Sequence, residues 1–181
     1  MSELTFSQAQ ADMRIGYFCG ASGILVSGVV WLVAAAVAVQ FSHKAAVLAL
    51  LAGGVIIHPL AVVLAKWLGR TGSHAAGNPL GKLATEGTFW LLAGIAVAYG
   101  MHVLRLEWFF PAMLLVIGGR YLTFQTLYGL RGYWVLGSVL CMAGIAFALA
   151  RVSVPVAAFA GGLIEVCFAV FFGLQAKCRT N

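Results

Sequence analysis

The chain has 181 residues, of which 62% are apolar and 9% charged, with 11 Lys and Arg against 5 Asp and Glu and a net charge of +6. Soluble domains are about 45–50% apolar and 25% charged, so these few charges cannot cover a water-facing surface and a soluble globule is excluded. The basic excess forms no run, which argues for membrane topology rather than nucleic-acid binding.

Residues 1–15 hold Asp12 and Arg14 among Leu4, Phe6, Met13 and Ile15, the pattern of a short tail or interfacial helix. They are neutral to acidic, unlike the start of a secretory signal. Six apolar intervals follow, each long enough to cross a hydrocarbon core of about 30 Å. Spans are expected at about 16–42, 45–68, 84–104, 108–129, 132–150 and 154–176, giving one all-α polytopic domain, a bundle of six transmembrane helices, with a tail at 177–181. Arg105-Leu106-Glu107, Gly129-Leu130-Arg131-Gly132 and the Arg151–Pro155 segment read as tight hairpin turns. Residues 69–83 form a longer loop in which Asn78-Pro79 signals a turn or a helix entry. Trp31, Trp67, Trp90, Trp108 and Trp134 mostly fall near span ends, as interfacial aromatics.

Six spans put both termini on one side. That side collects Arg14, Lys66, Arg70, Lys82, Arg131, Lys177 and Arg179, against Lys44, Arg105 and Arg151 opposite, so both termini are expected in the cytoplasm. Cys19, Cys141, Cys167 and Cys178 have neither C-x-x-C nor zinc-site spacing and read as small hydrophobes. No metal site and no cofactor is expected.

The informative positions are those that lipid tolerates badly. At 1.5 Å per helical residue, Arg120 lies roughly 20 Å from Glu107, Glu165 about 17 Å from Val154 and His58 about 21 Å from Lys44, one layer on three helices. Glycine pairs stand beside them: Gly53-Gly54 before His58, Gly118-Gly119 before Arg120 and Gly161-Gly162 before Glu165. Such small residues let membrane helices approach closely. Pro59 adds a break that frees a backbone carbonyl. Tyr121, Gln125 and Tyr128 recur at i, i+4 and i+7, a stripe running from Arg120 toward the cytoplasmic side, and Glu86 stands at the start of the third span as a further pore-lining candidate. The plain alternatives are an Arg–Glu pair that only sets helix register, a neutral hydrogen-bonded His58 and a solvated Glu86.

Pro59-Leu60, Leu64-Ala65-Lys66-Trp67-Leu68-Gly69, Asn78-Pro79-Leu80-Gly81-Lys82-Leu83, Gly118-Gly119-Arg120, Leu127-Tyr128 and Ile164-Glu165 resemble a family of small bacterial integral membrane proteins of unknown function. In that pattern the position of Arg120 is more often His and that of Thr123 more often Pro, so a charge pair is not carried over as a family feature. The resemblance implies a multi-pass protein of a bacterial inner membrane and lends no activity.

No G-x-S-x-G, H-E-x-x-H or Walker loop is present, which weighs against catalysis without excluding an intramembrane enzyme. The expected function is a transporter or channel for a small polar or anionic solute, with a midplane site of His58, Arg120 and Glu165. The alternatives are an enzyme or a lipid- or cofactor-binding protein using the same residues, and an assembly protein in which Arg120–Glu165 fixes packing and the glycines form a homodimer face. The expected partners are the lipid bilayer, a small solute and a second copy of the chain.

Overall fold

Thr5 starts the first helix. Its hydroxyl accepts from Gln8 N at 3.4 Å, while Gln8 Oε1 accepts from Thr5 N at 2.9 Å, a capping box that satisfies two amides at the open end of α1, Phe6–Gly16. In this computed structural model, which describes residues 4–178, the chain then forms α2 (Ala21–Gln40), α3 (His43–Trp67), α4 (Leu80–Leu104), α5 (Phe109–Tyr128), α6 (Gly132–Leu149) and α7 (Val154–Cys178). Arg179 and the tail from 179 onward lie outside the described residues, as does the side chain of Lys177. No strand occurs among the described residues.

Five segments are long and apolar enough to cross a membrane: Phe18–Gln40, α3, α4, α6 and Val154–Ala176 of α7. α5 has the length, 20 residues, but not the composition. Arg120, Thr123, Gln125 and Thr126 fall in its second half. The described residues therefore form an all-helical, multi-pass membrane protein in which one long helix, α5, is more polar than the other five.

Two of the expected boundaries shift. The apolar interval that begins at 16 opens on a break rather than a continuous helix, because Phe18 (φ 52°), Cys19 (φ 55°) and Gly20 (φ 80°) all adopt the left-handed region and form a 3-10 turn between α1 and α2. At Gly20 a side chain would meet the Tyr133 hydroxyl and the Tyr128 ring, so glycine is required for space as well as for φ. α4 starts at Leu80 rather than 84, with Pro79 at its N-cap and Asn78 Oδ1 accepting from Leu80 N at 3.0 Å in the turn that leads into it.

Packing follows two close pairs. α2 lies along α7, and α5 along α6; α3 flanks α2 and α4 flanks α5. Glycines set the approach. A Cβ on Gly162 of α7 would stand 2.9 Å from the Gly28 carbonyl oxygen of α2, and one on Gly118 of α5 would stand 2.8 Å from the Gly137 carbonyl oxygen of α6. α3 and α4 turn apolar side chains such as Val55, Trp90 and Val97 outward, as lipid-facing helices do. Trp31 departs from the interfacial pattern: it is 1% exposed and meets Phe110 edge-on at 5.7 Å, because Gly161 opposite leaves room for its ring.

One end of the bundle is closed by α1. Gln10 Nε2 donates to Thr126 O at 2.8 Å and Arg14 donates to Tyr128 O at 2.7 Å, a cation on the last carbonyls of α5. Asp12 Oδ2 accepts from Ala75 N at 2.9 Å and Asn78 Nδ2 at 2.7 Å, and the same Asn78 nitrogen donates to Ala9 O at 2.9 Å. The Asn78-Pro79-Leu80 stretch thus clamps α1 to the start of α4. Tyr17 joins the clamp through a 2.9 Å hydrogen bond between its hydroxyl and His74 Nδ1. Burial, and then the Asp12 carboxylate, push the Tyr17 phenol above its ordinary value and keep it neutral.

Candidate functional site

Glu165 lies in the middle of α7, is 1% exposed, and accepts a 2.9 Å hydrogen bond on Oε1 from the Tyr121 hydroxyl of α5. Its other oxygen, Oε2, is buried with no hydrogen-bond partner. Ser27 of α2, itself buried, stands beside both side chains. Three helices meet at this carboxyl because the Gly28–Gly162 contact draws α2 against α7 one turn away.

Tyr121 is held by rings. It meets Phe124 edge-on at 5.4 Å and approaches Tyr133, which stacks on Phe172 at 4.3 Å and on Tyr128 at 5.4 Å. Tyr133 has no exposed surface and donates to Cys19 O at 2.7 Å, tying the aromatic column to the strained turn before α2. A rigid column fixes the Tyr121 hydroxyl in place, so the bond to Glu165 costs little ordering.

Arg120 does not join this group. Consecutive residues on a helix point about 100° apart, and Arg120 faces α4, where one guanidinium nitrogen donates to Thr88 Oγ1 at a long 3.4 Å. Its charge stands 5.6 Å over the Phe124 ring, and its second terminal nitrogen is buried without a partner. No Arg120–Glu165 ion pair forms; among the described residues the ion pair is Arg105–Glu107, at 3.9 Å in the turn before α5. The expected hold of Glu165 on Arg120 is thereby corrected: the rotation of α5 sends the two groups to different neighbours.

The remaining candidates separate. His58 is exposed on α3 and Glu86 is exposed on α4, neither hydrogen-bonded to Arg120, Tyr121 or Glu165. Gln125 is half-buried, and Tyr128 is buried in the aromatic column instead of lining a passage. Ser27 was not among the sequence candidates, although a Ser-Gly pair inside an apolar helix is the signal that pointed to it. The expected glycine dimer face is also altered: Gly28, Gly118, Gly137 and Gly162 are occupied within the chain, while Gly54, Gly87, Gly100 and Gly119 face open space.

The family model of DUF7010, a family of unknown function, matches residues 6–175. No curated protein and no solved structure matches the chain.

Proposed function

We propose, for a chain that belongs to the DUF7010 family, that it carries a small polar or anionic solute across a bacterial inner membrane, with Arg120 receiving the solute and Glu165 exchanging a proton. One observation carries this: α5 stands between two orphaned buried polar atoms, a guanidinium nitrogen of Arg120 and Oε2 of Glu165, that do not satisfy each other. Orphans of this kind are costly and rare, and inside a membrane they mark ligand and proton sites. An anion at Arg120 supplies the missing acceptor in the α4–α5 groove beside Thr88. A proton on Oε2 supplies the missing hydrogen at Glu165, while Tyr121 keeps Oε1 occupied. Solute and proton moving together carry little net charge, which lowers the cost of crossing.

Six crossings with both termini cytoplasmic suit this reading. α1, the α3–α4 loop and the end of α7 share one end of the bundle, and an even number of passes returns the chain there. The basic residues Arg14, Lys66, Arg70, Lys82 and Arg131 fall toward that end.

A second reading is favoured by the close Gly28–Gly162 contact beside Glu165: the Tyr121–Glu165 bond is a packing lock and moves nothing. Proteoliposomes loaded with a pH-sensitive dye and challenged with inorganic phosphate and a set of small carboxylates separate the two. Transport predicts anion-dependent acidification that falls about tenfold or more in Glu165→Gln and Arg120→Gln, with both variants still folded. Wild-type rates in both variants for every anion that the wild type moves, or no anion response in the wild type at all, favour the lock.

A further inference from the structure

α4 turns one stripe toward α5: Ala84, Gly87, Leu91, Gly94 and Ala98 recur at steps of three and four residues and are half-buried or buried. Gly94 is the tight point of that stripe, where a Cβ would stand 2.6 Å from Val116 Cγ1 of α5. Gly87 is the opposite case. It is half-buried, yet a Cβ there would meet nothing within 4 Å. The two helices run antiparallel across the turn at Leu106–Trp108, so seven residues along each from the tight point bring Gly87 level with Thr123 and its neighbour Phe124. The open space at Gly87 therefore lies in the α4–α5 groove beside the Arg120 guanidinium, which reaches Thr88 and stands over the Phe124 ring.

What this groove offers an anion is limited. Nη1 of Arg120 is buried without a partner and Nη2 holds Thr88 Oγ1 only at 3.4 Å, so a ligand can take both terminal nitrogens. The Thr88 hydroxyl adds no donor, because its hydrogen goes to Ala84 O at 3.0 Å. No ion pair involves Arg120 among the described residues. A fork of two parallel donors matches one carboxylate. A phosphate has further anionic oxygens, which here would face the Phe124 ring and the open groove without a donor, at high cost inside a membrane. Beyond the fork, the Phe124 ring and the space at Gly87 suit an apolar body.

We infer that the anion is a small monocarboxylate with an apolar body, its carboxylate on the Arg120 fork and its body in the space at Gly87. This rests on the reading that Arg120 receives the solute, and adds to it a head group, a charge and a residue that sets size. One carboxylate and the one proton of Glu165 sum to zero charge, whereas a phosphate dianion and one proton do not. The test is equilibrium binding of radiolabelled hexanoate, acetate and inorganic phosphate to the full chain in nanodiscs, counted as the excess over empty nanodiscs. The wild type is expected to bind hexanoate about fivefold or more tighter than acetate, because buried methylenes add affinity, and to bind phosphate more weakly than either. Gly87→Leu fills the space and should cut the preference for hexanoate over acetate to about twofold or less. Gly54→Leu, at a glycine of α3 that is equally open, should keep it. Should Gly87→Leu fail to fold, Gly87→Ala takes its place, and a preference that falls by about half or more supports the assignment. Phosphate bound as tightly as hexanoate, or a hexanoate preference unchanged in the Gly87 variants, overturns this inference; anion binding that is still lost in Arg120→Gln then leaves the transport reading standing. No Arg120-dependent binding of any of the three anions removes both.

Discussion

At the scale of single residues, the Tyr121 hydroxyl donates to Glu165 Oε1 at 2.9 Å, with the buried Ser27 beside the same carboxyl. Removing it with Tyr121→Phe takes the donor from the buried Oε1, a loss of about 1–3 kcal/mol. Removing both partners with Tyr121→Phe and Glu165→Leu deletes the polar atoms together, so the double variant should be more stable than Tyr121→Phe alone. Thermal unfolding in detergent reads the cycle, and a double variant that loses the sum of the two single losses contradicts the coupling. Glu165 itself was legible in the sequence, because a carboxyl inside an apolar interval has no place in lipid without a reason. Its partner was not. In sequence Tyr121 is one of a polar stripe with Gln125 and Tyr128, and Arg120 is the expected counter-charge; which of two adjacent residues meets α7 depends on the rotation of α5 about its axis, and that is set by the glycine contacts with α6.

At the scale of elements, glycines decide which helices are neighbours. Gly162→Ala would put a methyl 2.9 Å from the Gly28 carbonyl oxygen and 2.8 Å from Leu32 Cγ, and a backbone oxygen in a packed helix cannot rotate away. We expect α2 and α7 to separate slightly at a cost of about 1–3 kcal/mol. Gly54→Ala and Gly119→Ala meet nothing within 4 Å, so they should be neutral or gain up to about 1 kcal/mol from helix propensity. Melting temperatures of the three variants test the contrast, and equal losses in all three would remove the glycine contacts from the account. Cutting the sequence at its charges located the long helices because hydrocarbon admits little else between them. It missed the break before α2, since left-handed Phe18 and Cys19 carry no local signature and are held by Tyr133 from a distant helix. It also missed the depth of Trp31, whose pocket is created by Gly161 on α7.

At the scale of the whole molecule, topology turns on α5, the long helix whose composition falls short of the other five. Its polar side chains do not all face lipid: Tyr121 bonds Glu165, Tyr128 joins the aromatic column, and Thr123 returns its hydroxyl to Arg120 O at 2.7 Å. Satisfied inside the bundle, such groups lose most of the cost that a hydropathy average assigns to them. A crossing α5 places Gly77 in the α3–α4 loop on the same side as Arg131, and Phe41 on the same side as Arg151. Single cysteines at these four positions, in a background with the native cysteines replaced, should react with a membrane-impermeant maleimide in those two pairs, 77 with 131 from the cytoplasmic face and 41 with 151 from the opposite one. Labelling of 77 and 131 from opposite faces would mean that α5 does not cross. The site at Arg120 and Glu165 would then lie at a membrane surface, and the transport reading would fall with it.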